Sequence, residues 1–486
     1  MNRRVLVYVC WGLAATALST ACRPSQIPVA DRQAAQHGVE LHVLVVDDPA
    51  MAEAIGRLGA DWKARTGAGY VVDEIDSAAL MAADSLPNPA DAVIFPSCQL
   101  GLLATRDWIV PLPADYIGSE ILSWPDVFEL LKVAETNWAG KPYGVSFGSP
   151  VLTCFYRADL LRQHHRQPPR TWSEYHELAE FFSHRDNLGP RAPDAAAPWQ
   201  GAIEPLATGW SGRTLLARAA AYAKHRDHYS TLFQIDTMRP LVAGPAFVRA
   251  LEELVADAKL AGPDAFGRDP AAVRREFFAG HAAFALSWPS HVDSADVASL
   301  SEDASIGFIE LPGSPKAYNV ATRAWENRGE QESNHVPLLC LAGRIGSIAH
   351  TSAHSKEGFQ LVAWLSGRQW AATISAASAA TTVFRQSQLR APQPWLEAAI
   401  DAEAGRQYAR SVREALSRPA YLFALRIPGQ DEYFSALDNA VARALSGEVS
   451  PADALGAAAD RWTEITAQRG VQLQRKAYRE SLGLEP

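Results

Sequence analysis

Fourteen tryptophans stand among 486 residues, with 13 tyrosines and 17 phenylalanines, and their positions decide what chemistry they can do. An indole packs on the apolar C–H face of a sugar ring, whose hydroxyls then need carboxylate, amide or guanidinium partners around the rim. Trp288, beside Pro289 at the end of an apolar run, is placed for this. So is Trp210, in the glycine-flanked turn Gly209-Trp210-Ser211-Gly212. Trp325, in a polar loop, and the adjacent Tyr433 and Phe434 are further candidates. Rim partners of the required kinds are Asp48, Ser97, Gln99, Ser149, Tyr156 and Arg385. Trp62, Trp172, Trp364 and Trp462 recur with other apolar residues at helical spacing and belong in the core.

Covalent chemistry has no comparable footing. The chain lacks a G-x-S-x-G elbow, since Gly209-Trp210-Ser211-Gly212-Arg213 has the wrong spacing, and it lacks a Walker loop and a G-x-G-x-x-G after a strand. His164-His165 and His176-Glu177 have no second ligand at helical spacing, so no metal site is expected. Asp47 and Asp48 sit at a strand end, but adjacent side chains on an extended segment diverge and cannot flank one bond. One of the two caps the next helix or accepts from a ligand hydroxyl. Catalytic residues and cofactors are therefore not expected. Cys98, Cys154 and Cys340 are spread singly, which gives neither a disulfide framework nor a metal site and fits buried thiols. The formal net charge of −9, without a Lys/Arg cluster, argues against nucleic acid or an anionic membrane face.

The amino terminus reads as an export signal. Arg3 and Arg4 precede a short apolar run, Val5 to Leu18, too short to span a bilayer comfortably. Small residues lead into Cys22, as in a lipobox, with leucine four positions before the cysteine instead of three. Residues 1–22 are thus a signal peptide with Cys22 as the lipidation site. The polar stretch 23–38 would be a flexible tether.

The elements that must position the aromatics follow in order. Leu41 to Val46 is a continuous apolar run and reads as a buried strand. A helix carrying Met51, Ile55, Leu58 and Trp62 closes at Gly67. Tyr70 to Val72 and Asp91 to Phe95 are further strands. Strands alternating with helices form a parallel sheet, whose ligands bind beyond the strand carboxyl ends. The loops at Asp47-Asp48 and Ser97-Gln99 therefore face one crevice. Val145 to Tyr156 is apolar but interrupted by Gly148 and Pro150, which a central strand does not tolerate and a strand passing between two sheets does. Thr171 and Glu174 form a capping box for a helix whose apolar face is Trp172, Tyr175, Leu178, Ala179 and Phe182. Ala282 to Ser287 is a strand delivering Trp288 to its end. Ile306 to Leu311 reads as the return crossing, and Pro337 to Leu341 with the helix after Ser355 as rejoining the first lobe. Ser450-Pro451 starts a late helix with Leu455 and Trp462 on its buried stripe.

This order of parts resembles bacterial extracellular solute-binding proteins of family 1, the maltose-type receptors of ABC importers. Their pattern GKxYGVPxxxxxxxLYYRxDL, then PPxTWxEL, is met by Gly140, Lys141, Tyr143, Gly144, Val145, Tyr156, Arg157, Asp159, Leu160, Pro168, Pro169, Thr171, Trp172 and Glu174. Ser146 replaces the usual proline and Phe155 a common tyrosine. The stretch from Phe277 to Trp288 resembles FxxGxAAMxxxW, and 450–462 resembles SPxxALxxAAxxW. The resemblance implies an α/β, two-lobed periplasmic-binding-protein-like fold of type II. Each lobe would be a mainly parallel sheet flanked by helices, with a hinge of crossing segments. Lobe 1 would comprise 39–147 and 317–388, and lobe 2 would comprise 148–316 and 389–486. It also places Trp288 where the family has a stacking tryptophan, and Tyr433/Phe434 at its late aromatic after an Ile-Pro turn. The implied function is capture of an oligosaccharide or polyol in the inter-lobe cleft by a monomer. The receptor would deliver it to ABC permease subunits and touch the membrane only through the lipid anchor. An exported carbohydrate-active enzyme and a sensor for a signalling partner are the alternatives.

Overall fold

The computed structural model describes residues 38–87, 89–287, 304–397 and 400–484. The expected signal peptide, Cys22 and nearly all of the tether lie outside these, and so does Trp288.

Two mixed sheets organise the chain. The apolar run after residue 40 forms strand Glu40–Val46, flanked in parallel by Gly69–Ile75 on one side and Ala92–Pro96 on the other. Strand Arg344–Ala349 then lies antiparallel to Ala92–Pro96. Its far edge is shared by Ile109–Val110 and Val145–Gly148. The second sheet runs Ile306–Glu310, Thr153–Arg157, Ala282–Ser287, Gln200–Ile203; only the last pairing is parallel. The expectation of mainly parallel sheets is corrected here. The βαβ alternation predicts the first three strands correctly, but the second sheet is assembled from segments far apart in sequence.

The first crossing lies where glycine and proline interrupt the apolar run. Val145–Gly148 belongs to the first sheet and Thr153–Arg157 to the second, four residues later. Gly148 has φ +122°, and a Cβ there would stand 2.6 Å from the Thr381 Cβ, so the crossing needs glycine for both conformation and space. The return is later than expected. Ile306–Glu310 is an edge strand of the second sheet, and the hairpin Lys316–Asn319/Ala324–Asn327 stays on that side. It does so because Trp325 packs edge-on against Tyr222 and lies under the Arg249 guanidinium. Within the expected strand 337–341, only Leu338–Leu339 is extended, and it pairs with Leu422–Phe423 instead of joining the first sheet. The chain re-enters that sheet at Arg344.

Helices cover both sheets. The segment expected as one helix through Met51 and Trp62 is two, Pro49–Gly56 and Gly59–Thr66. Glycine at the end of the first and the start of the second weakens continuation there. Gly67 closes the second with φ 81°. Trp62 and Trp364 meet at 5.2 Å under the first sheet. Trp172 and Trp462 are likewise core residues. Helix Trp172–Ser183 starts with the predicted capping box complete. Cys98, Cys154 and Cys340 are free, buried thiols. Among the described residues no helix is long and apolar enough to cross a membrane.

Candidate functional site

The loops that leave the first sheet's parallel strands are bound to one another. Asp47 Oδ1 accepts from the Ser77 backbone at 2.8 Å, and Gln99 Nε2 donates to Ser77 Oγ at 2.6 Å. Opposite them stands the segment 427–432, which opens helix Gln430–Leu445. Between the two is a cavity of about 280 Å³, lined by Gln99, Leu102 and Arg106 on one side and by Ile427 to Glu432 with Arg469 on the other. Gln99 and Gln430 are both buried, and the side-chain oxygen of each has no hydrogen-bond partner among the described residues. Burial of a bare acceptor costs free energy until a donor arrives, so these two amides are prepared for hydroxyl or amine donors.

Next to the cavity an aromatic shelf is built from two helices. Asp438 accepts from Gly209 N at 3.0 Å, Ser211 Oγ at 2.9 Å and Gly212 N at 2.7 Å. This fixes the turn that presents Trp210 at the start of helix Ser211–Ala223. The Arg213 guanidinium lies 4.5 Å over the Phe434 ring and 5.6 Å over that of Trp210. Arg213 and Arg469 draw the Asp431 carboxyl down, but burial outweighs them, with Asp47 and Glu432 adding to the rise, and the net shift is upward. Burial also raises the Cys98 thiol, which Gln430, Arg213 and Asp431 face.

The predicted residues divide cleanly. Gln99, Trp210 and Phe434 come together here, whereas Ser97 is buried with its hydroxyl toward Glu135 in the hinge. Asp48 is close by but already committed: Oδ1 accepts from Met51 N at 3.1 Å, and Oδ2 accepts from Arg344 Nε at 2.8 Å and Ser378 Oγ at 2.5 Å. Its exposed neighbour Asp47 is the acid with reach. Ser149 donates to Glu135 Oε1 at 2.8 Å in the hinge. Tyr156 is turned the other way, its hydroxyl 3.3 Å from Gln407 Oε1. Arg385 is fully buried, its guanidinium donating to the Leu122 and Ser366 carbonyls at 2.9 Å each, and burial lowers its pKa to about 10. Tyr433 is a core residue between Phe233 and Trp462. Trp325 sits on the hairpin described above. Arg213, Gln430, Asp431 and Arg469 were missed. A signal existed for Arg213, three residues after Trp210 on one helix face, and for Gln430 and Asp431 in the Ile-Pro-Gly turn.

Comparisons with known proteins follow the same lines. The sequence pattern of the bacterial extracellular solute-binding protein family matches residues 63–372. A search of curated proteins finds no match. Among solved structures, the sugar-binding protein MalE from Xanthomonas citri superposes with a TM-score of 0.66 at 21% identity, covering 89% of this chain and 98% of that one. A solute-binding protein from Agrobacterium radiobacter K84 in complex with ribitol gives 0.64 at 18%, covering 89% and 100%. One from Agrobacterium vitis S4 with bound D-mannitol gives 0.62 at 15%, covering 89% and 99%. At these identities the neighbours establish the two-lobed fold. With the family pattern running from the first helices, through the crossing, to the helix that follows Ser355, the chain belongs to the bacterial extracellular solute-binding proteins.

Proposed function

We propose that the protein is the receptor of an ABC importer and captures a carbohydrate, a polyol or short oligosaccharide, between its lobes. The observation that carries this reading is that Gln99 and Gln430, which line one cavity from opposite segments beside an aromatic shelf, each bury an amide oxygen without a hydrogen-bond partner among the described residues. Sugar hydroxyls supply the donors those oxygens need, and Asp47, Asp431 and Glu432 can take others. The half-buried Trp210 offers a face for ring C–H groups, and the buried Phe434 holds the Arg213 guanidinium beside it. Ribitol and D-mannitol in the neighbours' complexes are consistent with such a ligand.

In this reading lobe 1 is 39–147 with 344–388, and lobe 2 is 148–343 with 389–486. The first of these revises the sequence boundary to the point where the chain re-enters the first sheet. Closure about the crossing segments presents the bound form to the permease, because the ligand touches both lobes only when they are shut. The work is binding: of the two carboxylates that line the cavity, Asp431 and Glu432, the second is paired with Arg469. Export and a lipid on Cys22 hold the monomer at the cell envelope.

A thermal-shift panel of ribitol, D-mannitol, maltose and tagatose tests the proposal. One of them should raise the melting temperature in proportion to ln(1 + [L]/Kd) and be recovered unchanged by chromatography. Phe434→Ala should abolish the shift while leaving the unliganded melt cooperative. Recovery of a hydrolysed or oxidised sugar, or a shift indifferent to both Phe434→Ala and Gln99→Ala, overturns it.

A further inference from the structure

A second cavity, of about 510 Å³, lies between the segment that follows helix Ser211–Ala223 and the stretch Pro419 to Leu425. Its volume is in the range of small-molecule sites, roughly 300–1,000 Å³. Leu422 to Leu425 wall it, and two residues further on the same segment lines the cleft cavity. Between these two stretches Arg426 is buried, its guanidinium donating to the Ala134 and Glu135 carbonyls at 3.0 and 3.1 Å.

One wall is aromatic. Tyr421 and Phe423 stand with ring centroids 5.0 Å apart, and Tyr478 and the exposed Tyr229, whose ring centroid is 5.6 Å from the Lys224 ammonium, also line the cavity. The other wall is cationic. The half-buried Lys224 ammonium donates to the Tyr229 carbonyl at 3.2 Å, and no carboxylate among the described residues lies within ion-pairing distance of it. An ammonium has three donors, so two remain for a guest. Burial lowers the Lys224 pKa, as expected for a cation short of a counter-charge.

Of the other charges around the cavity, Glu332 is paired with Arg328, and Arg226 is exposed, with its chain neighbour Asp227 at 3.9 Å. His225, Asp227 and Glu326 have the composition of a metal site, but His225 is used up. Its Nδ1 accepts from Asp227 N at 3.2 Å, which leaves the proton on Nε2, 3.1 Å from Glu326. A metal at either nitrogen would have to break one of these contacts. Lys224 is therefore the half-buried cation of this cavity with donors to spare.

We propose that this cavity is a second small-molecule site, separate from the sugar cleft, that takes a flat organic anion: an aromatic ring between Tyr421, Phe423 and Tyr229, with its carboxylate or sulfonate on Lys224. The site does not depend on the identity of the cleft ligand.

The probe is 8-anilino-1-naphthalenesulfonate, titrated into the folded, full chain and followed by fluorescence and calorimetry. Its uncharged counterpart N-phenyl-1-naphthylamine serves as the control. One saturable site per chain is expected. Lys224→Gln should weaken the sulfonate about tenfold, the value of one charge-assisted hydrogen bond, and leave the neutral probe unchanged. Lys224→Arg should restore most of the loss. Equal binding of the sulfonate by wild type and Lys224→Gln overturns the proposal, and so does equal loss of both probes. A second measurement stands even if the variants fold poorly. Photolabelling of the wild type with 4-azidobenzoate should mark peptides containing Tyr229 or Tyr421 to Phe423. Labelling confined to the cleft segment 427–432 or to other surfaces overturns the assignment.

Discussion

Two buried charge clusters, one in each lobe, are built on opposite principles. At the strand ends of the first sheet, Asp48 meets one guanidinium. Arg344 donates to it at 2.8 Å and sends its other nitrogens to the Asp47 and Ala342 carbonyls at 2.9 and 2.6 Å. One positive and one negative charge face each other, and each guanidinium nitrogen has an acceptor. In the second lobe two acids share one base. Arg218 lies 2.6 Å from Glu204 and 2.7 Å from Asp257, under the Trp172 ring at 4.1 Å, and His176 Nδ1 meets Asp257 at 2.5 Å. Burial, with the Asp257 charge adding to it, overcomes the pull of Arg218 and raises Glu204 to about 7. Glu135 in the hinge takes this further. It is fully buried, with hydroxyls from Ser97 and Ser149 and a more distant Arg426, and burial raises it to about 7. The balanced cluster ties the loop at Asp47-Asp48 to strand Arg344–Ala349 and to Ser378.

Removing the shared base should have the largest effect. Arg218→Met leaves Glu204 and Asp257 together in the core without a guanidinium. Loss of one partner of a buried pair costs about 3–5 kcal/mol, read from denaturant midpoints at pH 8. A cost below about 1 kcal/mol would show that the two carboxylates are not charged against Arg218, and the contrast between the lobes would collapse.

Glu135→Gln comes next, and its sign depends on pH. A carboxyl raised from its ordinary 4.5 to about 7 in the folded chain binds a proton there more tightly than in the unfolded chain. Its contribution is full below pH 4.5 and is lost as pH rises through 7. At about 1.4 kcal/mol per pKa unit the loss is about 3 kcal/mol. The amide mimics the protonated form, so the variant should match the wild type near pH 4.5 and exceed it at pH 8. Parallel stability curves for the two proteins would refute the assignment. Glu204→Gln should repeat the pattern more weakly, by about 1 kcal/mol, because Arg218 loses an acceptor of full charge while keeping Asp257.

What could be read from the sequence follows the range of the interaction concerned. The crossing at Gly148 and Pro150, the Thr171 cap and the core tryptophans depend on neighbours a few residues away, and all are where the pattern puts them. Strand Arg344–Ala349 was not found. It is six residues with an internal glycine, and its place in the first sheet is set by Ala92–Pro96, some 250 residues earlier. The site was legible as residue types more than as positions. Tyr433 and Phe434 look alike as neighbours, yet successive residues on a helix point about 100° apart, so one faces Arg213 while the other fills the core. Arg385 reads as a ligand arginine until the carbonyls of Leu122 and Ser366 are seen to consume its donors. Gln430 and Asp431 become site residues only because a long-range turn carries them to Gln99.

The smallest prediction tests whether the balanced cluster is held mainly by its charge pair. Ser378 Oγ donates to Asp48 Oδ2 at 2.5 Å and accepts from Ala380 N at 3.1 Å, so Ser378→Ala removes a hydroxyl and leaves the Arg344 bond on the same oxygen. A neutral side-chain hydrogen bond contributes about 1 kcal/mol net, and one to a charged group somewhat more. The expected loss is therefore about 1–2 kcal/mol, well below that of Arg218→Met. Sugar affinity offers a second readout. Asp47, next to Asp48, lies toward the cleft, so if Arg344 alone keeps this strand end in place, Ser378→Ala should bind as the wild type does. A loss of affinity beyond about tenfold at unchanged fold would mean that Ser378, and with it the helix Ala371–Ala377 that precedes it, positions the ligand-facing loop as firmly as the ion pair does.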